Sequence, residues 1–292
     1  MRYICYNWFP MIADHCLDYE ESEYKRAGVS RLHDKTLVPD LVLENETVFV
    51  KSDFIYNGRF QEELLPKIKN RFTLISGISF LPVGGGASIG SILENDLVEN
   101  WFCTNPPVLE GKLPSKVVPL PIGFEEKERE GGDQEIIHRR RLERIPFEEK
   151  KDRILLPYHN FATNSSRREL FEKLAGLPFV DAQENKLDWE EYIKLMDGYK
   201  FVIGLEGAGH DIHRNYDALL VDTVPINKTN AIEKLFEFHA IPGIFIEPWG
   251  NLNADWLGQI LNLRHDFEKS GKFLQVDYHK SLVEKFKMRD KP

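Results

Sequence analysis

Apolar positions recur along this chain in two alternating rhythms, short continuous runs and residues spaced three and four apart. In the first half, 2–7 and 47–50 read as strands, and 60–69 reads as a helix with Leu64, Leu65 and Ile68 on one face. A strand at 72–76 leads to Gly84, Gly85 and Gly86, which open a loop into a helix near 88–94, and 117–121 reads as a strand again. Alternating strand and helix signals predict an α/β fold with parallel sheets. Residues 125–152 change character: they are densely charged, with few apolar anchors and a helical stretch at 134–144. They read as an interdomain connection or as a solvated surface helix.

A second α/β series follows. Strands are expected at 153–157, 179–181, 200–205, 223–227 and 243–247. Helices are expected at 167–175, closed by Gly176, at 189–196, ended by Gly198, at 231–238, and as one long helix at 254–267. No repeat or low-complexity tract interrupts the pattern.

The most informative stretch is 199–226. Its strand enters a turn holding Gly207 and Gly209, and a helix follows with Ile212, Tyr216, Leu219 and Leu220 on one face. Asp211 is the expected N-cap. Such a helix start offers free backbone N–H groups and the positive end of the macrodipole, a seat for phosphate. Arg214 then falls in the first turn, and Asp217 lies three residues on, on the same face. A cation for a diphosphate beside a carboxylate for a ribose diol is what a nucleotide-sugar site needs. Glu206, His210, Asp211, His213, Arg214 and Asp217 crowd one strand end, where ligands sit in open α/β sheets. The plain alternative is that strand, glycine turn and helix form the basic unit of every α/β fold.

This stretch resembles the donor-binding signature of exostosin-like glycosyltransferases: an aromatic and apolar strand, G-x-G-x-D-x-x-R-x-x-E, an apolar helix and x-P-[IV]. Gly207, Gly209, Asp211 and Arg214 match it, as do Val224, Pro225 and Ile226, whereas Asp217 stands where the family has Glu. Segments 49–55, 99–126 and 155–170 are similar to the viral and microbial branch, with the glycosyltransferases of large algal DNA viruses nearest in feel. The resemblance implies a GT-B fold, two Rossmann-like domains facing a central cleft, with a C-terminal helix at 279–287 crossing back to the first domain. The expected divisions are 1–130 (acceptor side), 131–152 (charged linker), 153–274 (nucleotide-sugar donor domain) and 275–292 (returning helix). It also implies transfer, with inversion, of a sugar from a nucleotide sugar to a hydroxyl of a glycan acceptor. The donor would be a UDP-sugar, with UDP-xylose or GDP-fucose as options. It would be a substrate, with no further cofactor.

That chemistry must neutralise the leaving diphosphate and accept the acceptor's proton. No Asp-x-Asp metal motif occurs in the chain, so cationic side chains must meet the charge. Arg214 is the first choice and Arg167 the second, the latter in Asn164-x-x-Arg167 at another helix start, where Arg168 could exchange with it. Surface charge on an amphipathic helix is the alternative for both. His213 would donate to phosphate or sugar, and Glu206 would bind sugar hydroxyls. For the base, Asp53 directly follows a strand and Asp14 follows one by a longer loop, with Glu94 and Asp96 as further options. Asp53 could equally be a turn or capping residue. Gly85 would let phosphates approach the first domain, and Asn105 would lie on the acceptor side, while Trp101 and Phe102 read as core. Two other readings stay open: a nucleotide- or sugar-binding protein without catalysis, and a metal-dependent hydrolase using His210 and His213.

Composition trims this picture. The 292 residues suffice for two domains, and 42% hydrophobic with 29% charged residues is ordinary for a globular chain. The net charge of −9 excludes a basic field for a nucleic-acid partner. Cys5, Cys16 and Cys103 are odd in number and widely spaced, which predicts buried, reduced thiols. No signal peptide or membrane span is expected, so the sequence reading is a soluble, cytoplasmic enzyme, in the host cytoplasm if viral.

Overall fold

The computed structural model describes residues 2–18, 36–162 and 164–287. Thr163 of the 155–170 segment and residues 288–292 of the expected returning helix lie outside the described residues. The chain divides into two compact units, Ile4–Ile122 with the stretch beginning at Val276, and Gly123–Gln275 with the N-terminal residues up to Tyr3. Each is built on a parallel five-stranded sheet.

In the first unit the strands are β1 (His15–Leu17), β2 (Glu46–Lys51), β3 (Phe72–Gly77), β4 (Val98–Thr104) and β5 (Val117–Leu120), paired in chain order. Register runs Lys51↔Gly77 and Thr104↔Leu120 at the carboxyl edge. β2 and β3 are almost wholly buried, as strands of a sheet covered on both faces must be. The core joins Val48, Val50, Phe72, Leu74, Trp101 and Cys103 to Ile55 and Phe60. Each such side chain contributes roughly 1.5–3 kcal/mol on burial. Short helices α1 (Ser52–Tyr56) and α2 (Gly90–Leu93) follow β2 and β3.

In the second unit the strands are β6 (Lys151–Leu156), β7 (Val180–Ala182), β8 (Tyr199–Gly204), β9 (Val224–Lys228) and β10 (Ile244–Ile246), in the spatial order β10-β9-β8-β6-β7. The helices are α3 (Gln134–Glu143), α4 (Ser166–Ala175), α5 (Trp189–Asp197), α6 (His213–Leu220), α7 (Ala231–His239), α8 (Ala254–Leu261) and α9 (Phe267–Phe273). The last helix, α10 (Val276–Lys287), belongs to the first unit.

Several expectations need correction. Residues 2–7 form no strand: Tyr3 bridges Gln275, and a turn returns Trp8 N–H to the Cys5 carbonyl at 3.0 Å. β1 and β4 were not foreseen. The expected helix at 60–69 is a π turn, Phe60–Leu64, and a 3-10 turn, Leu65–Lys67, because Pro66 has no N–H to continue it. The long helix expected at 254–267 stops at Leu261, and a separate helix, α9, starts at Phe267, where the Asp266 carboxylate caps the Glu268 and Lys269 N–H groups. The first division falls after Ile122, and the charged stretch 131–152 belongs to the second unit. There Arg141 donates to the Leu219 and Leu220 carbonyls at 3.1 and 2.8 Å and to Asp222, while buried Lys150 meets Asp197 at 2.5 Å. No helix among the described residues is long and apolar enough to cross a membrane.

Candidate functional site

Counted within its own unit, the second sheet has the order 2-1-3-4-5, so winding reverses between β6 and β8. Ligands of open α/β sheets sit outside the carboxyl ends of the strands that flank such a reversal. The loops leaving β6 and β8 therefore mark the candidate site, and α4 and α6 follow them.

β8 ends in Gly204, where a Cβ would lie 2.5 Å from Asn227 Oδ1, so only glycine fits. The loop passes Glu206 and Gly207, whose own Cβ would approach the Arg167 guanidinium to 3.2 Å. Gly209 is buried in the same loop. α6 starts at His213 with Ile212 as N-cap and no side-chain cap. The expectation for Asp211 is thus corrected. It precedes the cap and is fully buried, and its carboxylate accepts from Ile212 N–H at 2.9 Å, Asn215 Nδ2 at 3.1 Å and the Tyr216 hydroxyl. Turned inward, it staples the first turn of α6 and leaves the helix start open.

Arg214, in that turn, is half-buried. Its Nε donates to Tyr192 Oη at 3.0 Å, one Nη to His159 Nε2 at 2.7 Å and the other to the Tyr158 carbonyl at 3.0 Å. The Tyr192 ring lies 5.7 Å from the guanidinium carbon. All three partners are neutral, and among the described residues no carboxylate pairs with Arg214. A guanidinium has five N–H donors, so one on each Nη remains for another acceptor.

Arg167, from α4, is 8% exposed and donates to the Glu206, Asn160 and Leu205 carbonyls at 2.7, 2.9 and 2.9 Å. It clamps the loop after β6 to the loop after β8. Burial, and then the neighbouring Arg214 charge, lower its pKa to about 10. Asn164 precedes Ser165, the N-cap of α4, and its Oδ1 accepts from Ser166 N–H at 3.1 Å, while Arg168 lies over the Phe161 ring at 4.7 Å.

Asp217 is buried one turn beyond Arg214 and accepts from Trp189 Nε1 at 3.2 Å. Burial raises its pKa to about 7, against the pull of Arg214 and the Trp189 hydrogen bond, with the Glu125 charge adding to the rise. Glu206 Oε1 accepts from His210 Nδ1 at 2.9 Å and Asn230 Nδ2 at 2.7 Å. Burial would raise its pKa, but those two hydrogen bonds and the His210 and Lys228 charges lower it. His213 Nδ1 donates to the Gly123 carbonyl at 2.8 Å. The two histidines of the metal reading thus serve different partners, and among the described residues no three His, Cys, Asp or Glu side chains converge to hold a metal.

The remaining candidates lie in the first unit. Asp14 is corrected. Its carboxylate accepts from Thr47 N–H and hydroxyl at 2.9 and 2.7 Å, at the second residue of β2. That is the amino edge of the sheet, away from the ligand edge. Asp53 sits at the carboxyl edge, in the first turn of α1, with Lys51 Nζ 3.2 Å from its Oδ2. Asn105 follows β4 at that edge, fully buried with φ of 46°. Gly85 is exposed in a turn whose N–H reaches the Pro82 carbonyl at 3.1 Å. Trp101 and Phe102 are core.

Sequence reasoning missed His159, Tyr192, Trp189 and Asn230. The signal for His159 was its place just after a strand, but that became meaningful only once β6 and β8 were known to be neighbours.

No protein-family model matches the chain, and no curated protein matches it. Among solved structures, a crystal structure of a GtfA/B complex is similar over 84% of this chain and 58% of that chain, at 10% sequence identity and a TM-score of 0.39. This chain therefore spans less than two thirds of that relative's length. At this likeness neither family nor activity carries over.

Proposed function

We propose that the protein is a glycosyltransferase whose second unit binds a nucleotide-sugar donor at the reversal between β6 and β8. One observation carries this reading: Arg214 stands in the first turn of α6, hydrogen-bonded only to three neutral acceptors among the described residues, which leaves one N–H on each Nη for an anion. The helix N-terminus adds its own attraction for phosphate. Asp217, one turn on, serves the ribose hydroxyls, and Glu206 with His210 and Asn230 serves the sugar. The exostosin-like spacing of Gly207, Gly209, Asp211 and Arg214 supports the same assignment, including a GT-B fold, a UDP-linked donor and inversion at the anomeric carbon.

In the reaction, the bond from the anomeric carbon to the diphosphate oxygen breaks as the acceptor oxygen bonds to that carbon. Arg214 and the α6 N–H groups stabilise the charge that appears on the leaving diphosphate. The acceptor's proton passes to a carboxylate, for which Asp53 is the candidate. The test is turnover of UDP- and GDP-linked sugars with oligosaccharide acceptors in excess EDTA. Sugar transfer by the wild type, lost in Arg214→Ala, supports the proposal. Nucleotide binding without turnover would favour a binding protein, and turnover that requires added metal would contradict cationic catalysis.

A further inference from the structure

His159 lies between the two arginines and is 1% exposed. Its hydrogen bonds fix the ring's protonation without ambiguity. Nε2 receives the Leu205 N–H at 3.2 Å and an Arg214 Nη at 2.7 Å; both are donors, so Nε2 is bare. Nδ1 lies 2.6 Å from the Pro157 carbonyl and must carry the hydrogen. Leu205 directly follows β8 and Pro157 directly follows β6, so one imidazole joins the two strand ends at the reversal and holds the cation there.

Resting on the donor reading above, we propose that His159 is a positioning residue. Locked as the Nδ1–H tautomer by the Pro157 carbonyl, it presents Nε2 as the fixed neutral acceptor that aims Arg214 at the donor's diphosphate. The charged and titratable groups around it are consistent with this. Arg214 from α6 and Arg167 from α4 both face the ring, and Tyr192 of α5 reaches it through Arg214. Burial, then the two arginine charges, hold its pKa well below the ordinary value, so the ring stays neutral. A carboxylate in its place would also hold Arg214, but would neutralise it. A neutral acceptor orders the cation and leaves its charge for the ligand.

The test is ¹⁵N NMR of the full chain, with UDP and GDP titrated as probes. In the wild type, His159 shows a neutral Nδ1–H ring and Arg214 shows slowed Nη rotation. His159→Gln keeps an acceptor near Nε2, so it retains the Arg214 signal and nucleotide affinity within about threefold. His159→Phe fills the space without an acceptor, so it loses the Arg214 signal, and nucleotide binding weakens by about tenfold or more. Should the Phe variant fail to fold, His159→Asn replaces it. Its shorter amide reaches only the Nδ1 position, and it is expected to lose both signals while Gln keeps them. A folded Phe or Asn variant with an ordered Arg214, or with wild-type nucleotide affinity, overturns the proposal. If neither nucleotide binds the wild type but Arg214 loses its order in the Phe variant, the positioning role stands and the diphosphate reading falls.

Discussion

The two units share an architecture and differ in winding. Among the described strands, the first sheet is laid down in chain order, β1 to β5, with no reversal. The second places β6 between β7 and β8 and reverses beside it. That one difference separates two kinds of carboxyl edge. At the reversal, loops leave two neighbouring strands toward opposite faces, and polar groups from both meet: His159, Arg167, Leu205 and Arg214 form one connected cluster. In the first sheet, Asp53 and Asn105 stand at the carboxyl edge, where the order of the described strands does not reverse. In open α/β sheets it is the strand order that marks the edge where a ligand is expected.

Variants on the two edges should fail differently, and the largest effect is expected in the first unit. Asp53→Asn should lower kcat by roughly 10²- to 10⁴-fold and leave nucleotide affinity unchanged, as a base would. Asp14→Asn, at the opposite edge, should leave kcat intact and lower only Tm. Equal kcat losses in the two variants would erase the distinction between the edges. Arg214→Ala should follow, with a loss of roughly 10²- to 10³-fold in turnover and a native circular dichroism spectrum. A folded mutant with undiminished kcat would remove the reversal from the chemistry.

Asp217→Asn sharpens the comparison by separating function from stability. Ribose contacts exist in ground and transition states alike, so donor KM should rise by about 1–3 kcal/mol, roughly five- to hundredfold, with kcat nearly unchanged. The folded state holds the Asp217 proton up to about pH 7, whereas the unfolded chain releases it near the ordinary carboxylate value. Ionising this buried group therefore costs stability as pH rises through that window. At pH 8 the neutral amide should be more stable by on the order of 1 kcal/mol or more, read from urea midpoints. A destabilised Asn variant would mean that the carboxylate supports the fold.

The pH effect at His159 runs the other way. Its folded pKa is depressed, so below about pH 6.5 the unfolded chain takes up a proton that the folded chain refuses. Stability should fall by up to about 2 kcal/mol between pH 6.5 and 5, and His159→Gln should flatten that limb. An unchanged acid limb in the Gln variant would assign it to other groups.

Much of the second unit was legible in the sequence because its strands and helices keep clean periods. β8, the glycine turn and α6 were read nearly to their ends, and the first-turn position of Arg214 followed. Asp211 shows where local reading stops. A polar residue before a helix looks like a cap, but whether its carboxylate turns out or in depends on Asn215 and Tyr216 beneath it. His159 was illegible for a different reason: its role depends on strand order, which no local pattern encodes. The charged stretch 131–152 looked like a linker because composition cannot reveal that Arg141 and Lys150 have buried partners in Asp222 and Asp197.

A thermal-shift screen of UDP, GDP and their sugar conjugates, run in parallel on the wild type and Arg214→Ala, tests the donor seat most directly. A ligand at about 100 times its Kd adds about 2.7 kcal/mol to the native state. A Tm rise of several degrees is expected for one nucleotide series in the wild type, and it should vanish in the folded Arg214→Ala protein. No rise with any nucleotide, or an equal rise in both proteins, would contradict a nucleotide-sugar seat at the β6–β8 reversal.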